Sequence, residues 1–300
     1  MLKKFKSYSM PIAMTLGILL HQYIGQLAVV IPYLLFVMLL LTYSKLSLRN
    51  LRFSKMHLWL ILFQIFASLG IYFAVNPFQP ILAQGLLIVV LAPTATAAPV
   101  IAGMLKGDVA SLTAYSLISN FTVALLAPLF FSYIGYNELP FLSSFVEIAR
   151  RVGFLLILPF AIALLINKYL PNTGKFIQSK SGFTFYIWTF SLAIVTARTV
   201  QFIVAQGSAH AWLEIAIAAG ALLLCVIQFW LGRKIGRKMD DTVAGGQGLG
   251  QKNTVLAIWM AQAFLHPLAS IGPGAYVLWQ NSVNSWQIWR QHKQNVSKSQ

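Results

Sequence analysis

Two stretches of this 300-residue chain carry polar groups where the flanking sequence is aliphatic. In Leu91-Ala-Pro-Thr-Ala-Thr-Ala-Ala-Pro99, Thr94 and Thr96 stand between two prolines. In Gly245-Gly-Gln-Gly-Leu-Gly-Gln-Lys-Asn253, glycines alternate with Gln247, Gln251, Lys252 and Asn253. These side chains hold ions or polar solutes through hydrogen bonds; they do not make or break covalent bonds. The rest of the chain offers little for catalysis. Cys225 is the single cysteine, which excludes an internal disulfide and a multi-thiolate metal site. The chain has only six acidic residues, and neither a His-x-x-x-His nor a paired-carboxylate spacing occurs. No nucleophile-base constellation is present, so we expect a non-enzyme with no resident cofactor.

Proline and glycine break helices, and both stretches fall within long apolar segments. Unwound backbone deep in a bilayer costs several kcal/mol per unsatisfied group, on the order of the transfer penalty for an amide, unless it lines a polar interior or binds something. Half-helix N-termini there favour an anion, and the unwound carbonyls favour a cation.

The elements that position these groups follow from composition. Hydrophobic residues make up 58% of the chain and charged residues 9%, with mean hydropathy +0.73. A soluble domain has about 25% charged residues. A spanning helix needs about 20 apolar residues, and spans are expected near 8–22, 24–43, 56–75, 79–105, 109–134, 145–166, 183–204, 212–232, 242–265 and 269–289. The net charge of +16 would suggest nucleic-acid binding in a soluble protein, but its distribution points elsewhere. Lys3, Lys4 and Lys6 precede the first span; Lys45, Arg49, Arg52 and Lys55 follow the second, and Lys106 the fourth. Lys168, Lys175 and Lys180 follow the sixth, Arg233, Lys234, Arg237 and Lys238 the eighth, and Arg290, Lys293 and Lys298 the tenth. Alternate connections are nearly free of such charge, the pattern of the positive-inside rule. Both termini are therefore expected in the cytoplasm, with the lipid bilayer as the partner and no nucleic acid. Arg150, Arg151, Arg198 and Lys252 are the exceptions. Arg150 and Arg151 read as snorkelling side chains. Arg198 either attracts an anion or pairs with Glu214. Trp212 and Trp289 read as interfacial belts, and His266, before Pro267, as a solvated helix end.

The connection near Asn137 to Pro140 divides the pattern into halves of five spans. An odd number inverts the second half, so a single membrane domain over 1–300 with repeats near 8–136 and 141–290 is expected. The fourth span of each half is the interrupted one. Broken helices at matching positions are the sequence pointer to a transporter binding site.

At these residues the chain resembles the bile acid:sodium symporter family. Ala92-Pro-Thr-Ala-Thr-Ala-Ala-Pro-Val-Ile-Ala-Gly-Met-Leu-Lys-Gly-Asp108 is similar to the family's Ala-Pro-Gly-Gly-Thr-Ala-Ser-Asn motif with its trailing turn. Gly250-Gln-Lys-Asn-Thr-Val-Leu-Ala257 is similar to Gly-Met-Gln-Asn-Ser-Gly-Leu-Ala, and Gly272-Pro-Gly-Ala and Trp279-Gln-Asn281 resemble the last span. The resemblance implies an all-α membrane fold of about ten helices in two inverted five-helix repeats. Two discontinuous helices cross at the centre of a core domain beside a panel domain. It further implies transport of organic anions, often with two sodium ions beside the crossing.

The departures from that pattern bear on the ion. The Ser-Asn pair of sodium ligands is here Ala98-Pro99; one hydroxyl position is Leu112, although Ser116 retains another. Gly248 stands at the position of the shared sodium-binding glutamate, or Gln247 after a one-residue shift, and Lys252 stands at a glutamine position. No carboxylate remains. The resemblance implies that Lys252 substitutes for a bound cation, with Gln64 accepting a hydrogen bond from it; the alternative is a structural pairing of Lys252 with a backbone carbonyl. An ionisable residue within a span is functional by default, and the coupling ion is open between proton and sodium. The expected substrate or ion contacts are Gln64, Thr94, Thr96, Ser116, Gln247, Gln251, Lys252, Asn253 and Asn281.

The leading expectation is a secondary active transporter of a small organic anion in a prokaryotic inner membrane, working by alternating access with altered or absent sodium coupling. The alternative is a passive channel or a transporter-like receptor. Topology is directly testable: alkaline phosphatase fused after Asn137 should be active outside the cytoplasm, and fusions after Lys45, Lys175 or Arg237 should be inactive. Equal activity at all four positions would refute the charge assignment.

Overall fold

The computed structural model describes residues 2–46, 51, 53–134, 140–206 and 211–297. Arg49, Arg52, Asn137, Glu138 and Lys298 lie outside the described residues. The helices are α1 (Leu2–Leu19), α2 (His21–Ile24), α3 (Ile31–Tyr43), α4 (Lys55–Val75), α5 (Pro80–Leu91), α6 (Ala98–Met104), α7 (Val109–Ile134) and α8 (Phe141–Leu156). They continue with α9 (Leu158–Tyr169), α10 (Pro171–Ser179), α11 (Phe183–Gln206), α12 (Ala211–Arg237), α13 (Thr242–Gly250), α14 (Thr254–Phe264) and α15 (Ile271–Ser297). No β-strand is found among the described residues, where the only extended pairing is an isolated bridge between Thr94 and Lys252.

Among the described residues, six helices or helical runs are long and apolar enough to cross a membrane: His21–Tyr43, Lys55–Val75, Val109–Ile134, Phe141–Tyr169, Pro171–Ala205 and Ala211–Arg237. Pro80–Leu91 and Thr254–Phe264 are shorter and equally apolar. The expected spans 79–105 and 242–265 are thus each two helices separated by a non-helical gap, at 92–97 and 251–253. The cause is local. Pro93 has no N–H to give Val89, and its ring is incompatible with a continuing helix. Before the second gap, four of the last six helical residues are glycines, which hold a helix poorly. The connection expected at 167–182 instead folds into α10.

Contacts divide the chain into two compact units, Met1–Ser47, Ala124–Glu214 and Ile258–Ser270 in one, and Leu48–Val123, Ile215–Ala257 and Ile271–Gln300 in the other. In the first unit α1 lies along α11, closely enough that a Cβ on Gly17 would stand 2.6 Å from Ala193 O. Arg198 donates to Gln201, 3.0 Å, which donates to His21 O, 2.8 Å. This corrects the expected pairing of Arg198 with Glu214, whose Oε1 is buried with no hydrogen-bond partner. Arg151 pairs with Glu147 at 2.6 Å on an exposed helix face.

The second unit holds both broken helices. Its core has two clusters, one of Met56, Leu60, Ala98, Leu112, Tyr115 and Leu249, the other of Val89, Val90, Ala221, Cys225, Phe229 and Tyr276. Helix α13 owes its place to missing side chains. A Cβ on Gly245 would stand 2.4 Å from Gly232 O, and one on Gly232 would stand 2.3 Å from Gly245 O. The α12 and α13 backbones touch there, the close approach that small residues at four-residue spacing permit within membranes.

Gly232→Val should therefore lose about 3 kcal/mol or more of stability, the upper range for overpacking a filled interface. Gly153→Ala, where an added Cβ meets nothing within 4 Å, should be neutral or gain up to about 1 kcal/mol. Thermal unfolding of the purified protein in detergent, followed by loss of monodisperse elution, separates the two outcomes.

Candidate functional site: the crossing of two broken helices

The two gaps run antiparallel and pair through backbone. Ala95 N donates to Gln251 O, and Asn253 N donates to Pro93 O, both at 2.8 Å. Between those bonds Thr94 and Lys252 stand opposite each other, 0% and 1% exposed. A bridge of two bonds cannot satisfy all the carbonyls and amides that two interrupted helices release, and side chains complete the accounting.

They do so reciprocally. Thr94 Oγ1 donates to Gly248 O, 2.7 Å, at the end of α13. Lys252 Nζ donates to Val90 O, 2.9 Å, at the end of α5. Each gap residue caps the carbonyl four residues before its opposite number. The backbone N–H groups match as well: Thr94 N donates to Ser119 Oγ at 3.1 Å, and Lys252 N donates to Gln280 Oε1 at 2.8 Å. The supporting helices repeat the pattern. Tyr115 OH donates to Gln64 Oε1 at 3.3 Å, and Gln228 Nε2 donates to Tyr276 OH at 3.2 Å. Asn120 Nδ2 donates to Ser116 O and Asn281 Nδ2 to Val277 O, each at 2.7 Å. Three further carbonyls are capped: Gln64 Nε2 donates to Leu91 O and Ala92 O, 2.7 and 3.2 Å, and Tyr276 OH donates to Gly250 O, 2.9 Å.

This equivalence has a sequence trace. Ala114-Tyr115-x-Leu117-x-x-Asn120 in α7 recurs as Ala275-Tyr276-x-Leu278-x-x-Asn281 in α15. The breaker-based reading missed Ser119, Tyr115, Tyr276, Gln228 and Gln280; this short repeat was the signal available to find all of them but Gln228, which lies in α12.

Of the expected contacts, Gln64, Thr94, Gln251, Lys252 and Asn253 meet at the crossing, with Ser116 Oγ 3.5 Å from Thr94 O. Thr96 is half-buried two residues beyond Thr94. Gln247 lies one turn along α13 and donates to Asn284 and Gln287 of α15. Asn281 binds its own helix backbone and is not brought to the pairing. Lys252 contacts a carbonyl rather than Gln64, which caps the same helix end beside it; the ammonium and the amide divide the α5 carbonyls between them. A cation at a helix C-terminus is favoured by roughly 0.3–1 kcal/mol when exposed and by up to about 2 kcal/mol when partly buried. Asn253 Oδ1 accepts from Leu256 N, 3.3 Å, as the N-cap of α14, while its Nδ2 is buried without a partner.

A cation site needs hard oxygen ligands. Ala98 and Leu112 are fully buried in the apolar cluster, and Gly248 packs on the Tyr115 ring, 2.9 Å from its would-be Cβ. Pro99 sits in the first turn of α6 with no ligand to offer. No group of three or more His, Cys, Asp or Glu suited to a metal ion occurs among the described residues. Sodium does not fit these side chains.

The family model described as the sodium bile acid symporter family matches residues 18–206. That match takes in the first broken helix and ends before α12, so α13 and Lys252 lie beyond it. No curated protein matches the chain.

Replacing Thr94 by Val should leave Gly248 O uncapped and cost about 1–3 kcal/mol, the penalty for a buried unsatisfied acceptor. Thr94→Ser should retain most of that. Comparing the unfolding temperatures of the two variants checks the cap; equal loss in both would remove it from the account.

Proposed function

Because the chain belongs to the sodium bile acid symporter family, a family of transporters and not of enzymes, we propose that it is a secondary transporter of a small organic anion that works by alternating access without sodium coupling. It is a multi-pass membrane protein. We read its fold as ten spans in two inverted repeats, 8–136 and 141–290, with both termini in the cytoplasm. The reciprocal caps and the repeated Ala-Tyr-x-Leu-x-x-Asn support that reading, since equal positions in α7 and α15 serve equal positions in the two gaps.

One observation carries the function: the Lys252 ammonium lies on Val90 O, at the negative end of the first half-helix, 1% exposed and inside the crossing. A helix C-terminus and unwound carbonyls form the environment that transporters of this architecture offer to a cation. A tethered ammonium supplies that positive charge from within the chain. Apolar packing at Ala98, Leu112 and Gly248 supports the same conclusion, because it removes the oxygens a second ion would use. The anion belongs on the opposite helix ends, where α14 begins at Asn253 with a free, buried Nδ2 and a positive dipole end.

The test is uptake into proteoliposomes of labelled taurocholate and smaller carboxylates, with sodium exchanged for potassium. Accumulation should be unchanged by that exchange. It should fall about tenfold or more in Lys252→Met, equivalent to about 1.4 kcal/mol or more at the limiting step. Strong sodium stimulation of the native protein would overturn the proposal, and equilibration without accumulation would establish a passive channel instead.

A further inference from the structure

Five buried amides connect the crossing to one end of α15. Gln280, Asn284 and Gln287 share one face of α15 at helical spacing, and Gln247 and Gln251 share a face of α13. Gln280 exchanges two hydrogen bonds with the Lys252 backbone, accepting at 2.8 Å and donating to Lys252 O at 3.2 Å. Asn284 donates to Gln251 Oε1. Gln247 donates to Asn284 Oδ1 at 2.9 Å and to Gln287 Oε1 at 3.2 Å. None of the five is more than 8% exposed, and Gln287 lies one turn from exposed Arg290.

Apolar residues would pack α13 on α15 without the desolvation of five amides. Polar residues inside a membrane unit mark a pathway more often than a scaffold. Gln247 Oε1 is moreover buried without a hydrogen-bond partner, and a buried carbonyl in a polar surrounding is where water binds. At the inner end of the file, Lys252 Nζ has one protein acceptor, Val90 O. Thr94, its counterpart, performs the same capping with a neutral hydroxyl. The cap therefore requires a donor and not a charge, and a neutral amine still donates to Val90 O.

We propose that these five amides line a water file through which Lys252 exchanges a proton with the Arg290 end of α15, making Lys252 the coupling site of the transporter. The proposal rests on the transport reading above. In each cycle Nζ takes a proton from water on the far side when alternating access opens the crossing there, and in the other state gives it to a water of this file; the electron pair stays on nitrogen, and the excess proton moves to the Arg290 end by exchange between waters. The buried titratable side chains on the elements around the crossing are His57 of α4, whose ring lies against Tyr115, Tyr115 itself of α7, Cys225 of α12 and Tyr276 of α15, and no carboxylate is paired with Nζ among the described residues. At the outer end, Arg233 packs against Gly246 and feels the charge of Arg290.

The test uses the full chain in proteoliposomes. Asn284→Cys and Gln287→Cys should react with a small water-soluble methanethiosulfonate about tenfold or more faster than native Cys225, which is fully buried, because the reactive thiolate forms only where water reaches. Rates no faster than that of Cys225 would overturn the water file. Taurocholate or carboxylate accumulation should follow an imposed pH gradient and be lost in Lys252→Met, and Asn284→Leu or Gln287→Leu should slow it several-fold. Accumulation indifferent to the pH gradient would overturn proton coupling. If the native protein moves no anion at all, the transport reading fails instead, and the thiol rates still decide the water file.

Discussion

The structure depends on satisfying the backbone where two helices are interrupted inside a low-dielectric unit. Each break releases carbonyls and amides into a largely buried interior, and each would cost several kcal/mol on the order of amide desolvation if left unpaired. The two gaps solve this together. Their bridge pairs Ala95 with Gln251 and Asn253 with Pro93, and Thr94 and Lys252 cross over to cap each other's helix ends. Neither break is stable alone, since its missing donor comes from the other.

That mutual dependence constrains the surrounding helices. Gln64 must reach the α5 carbonyls, so α4 packs closely against α5. Ser119 and Gln280 must meet the two gap amides, which fixes the rotation of α7 and α15 about their axes. Glycines then let α12 approach α13 to backbone contact.

Charge distinguishes the two gap residues that cap each other's helix ends. A hydroxyl on one side and an ammonium on the other do the same capping, yet only the second can place a positive charge beside a helix C-terminus. In the resembling family that charge arrives with an ion. Here it is part of the chain, and the positions that would ligate sodium are filled by Ala98, Leu112 and Gly248 in apolar contact.

Much of this was legible without coordinates. Apolar run lengths and the segregation of lysine and arginine declared a multi-pass membrane protein, because both are properties of composition along the chain. Pro93, Pro99 and the Gly245-Gly-Gln-Gly-Leu-Gly run marked the two breaks for the same local reason. The partners of Lys252 were not legible. Val90 O is a backbone atom with no sequence signature, and the choice between Gln64 and that carbonyl was decided by which helix end the ammonium faced. Glu214 stands without the arginine expected for it, since pairing depends on side-chain direction in the folded unit. The Gln247, Asn284 and Gln287 contacts join residues far apart in the chain. Sequence alone thus determined where the helices run and where they fail. Tertiary structure decided which distant group repairs each failure, because a hydrogen bond is satisfied by whatever donor the packing brings within reach.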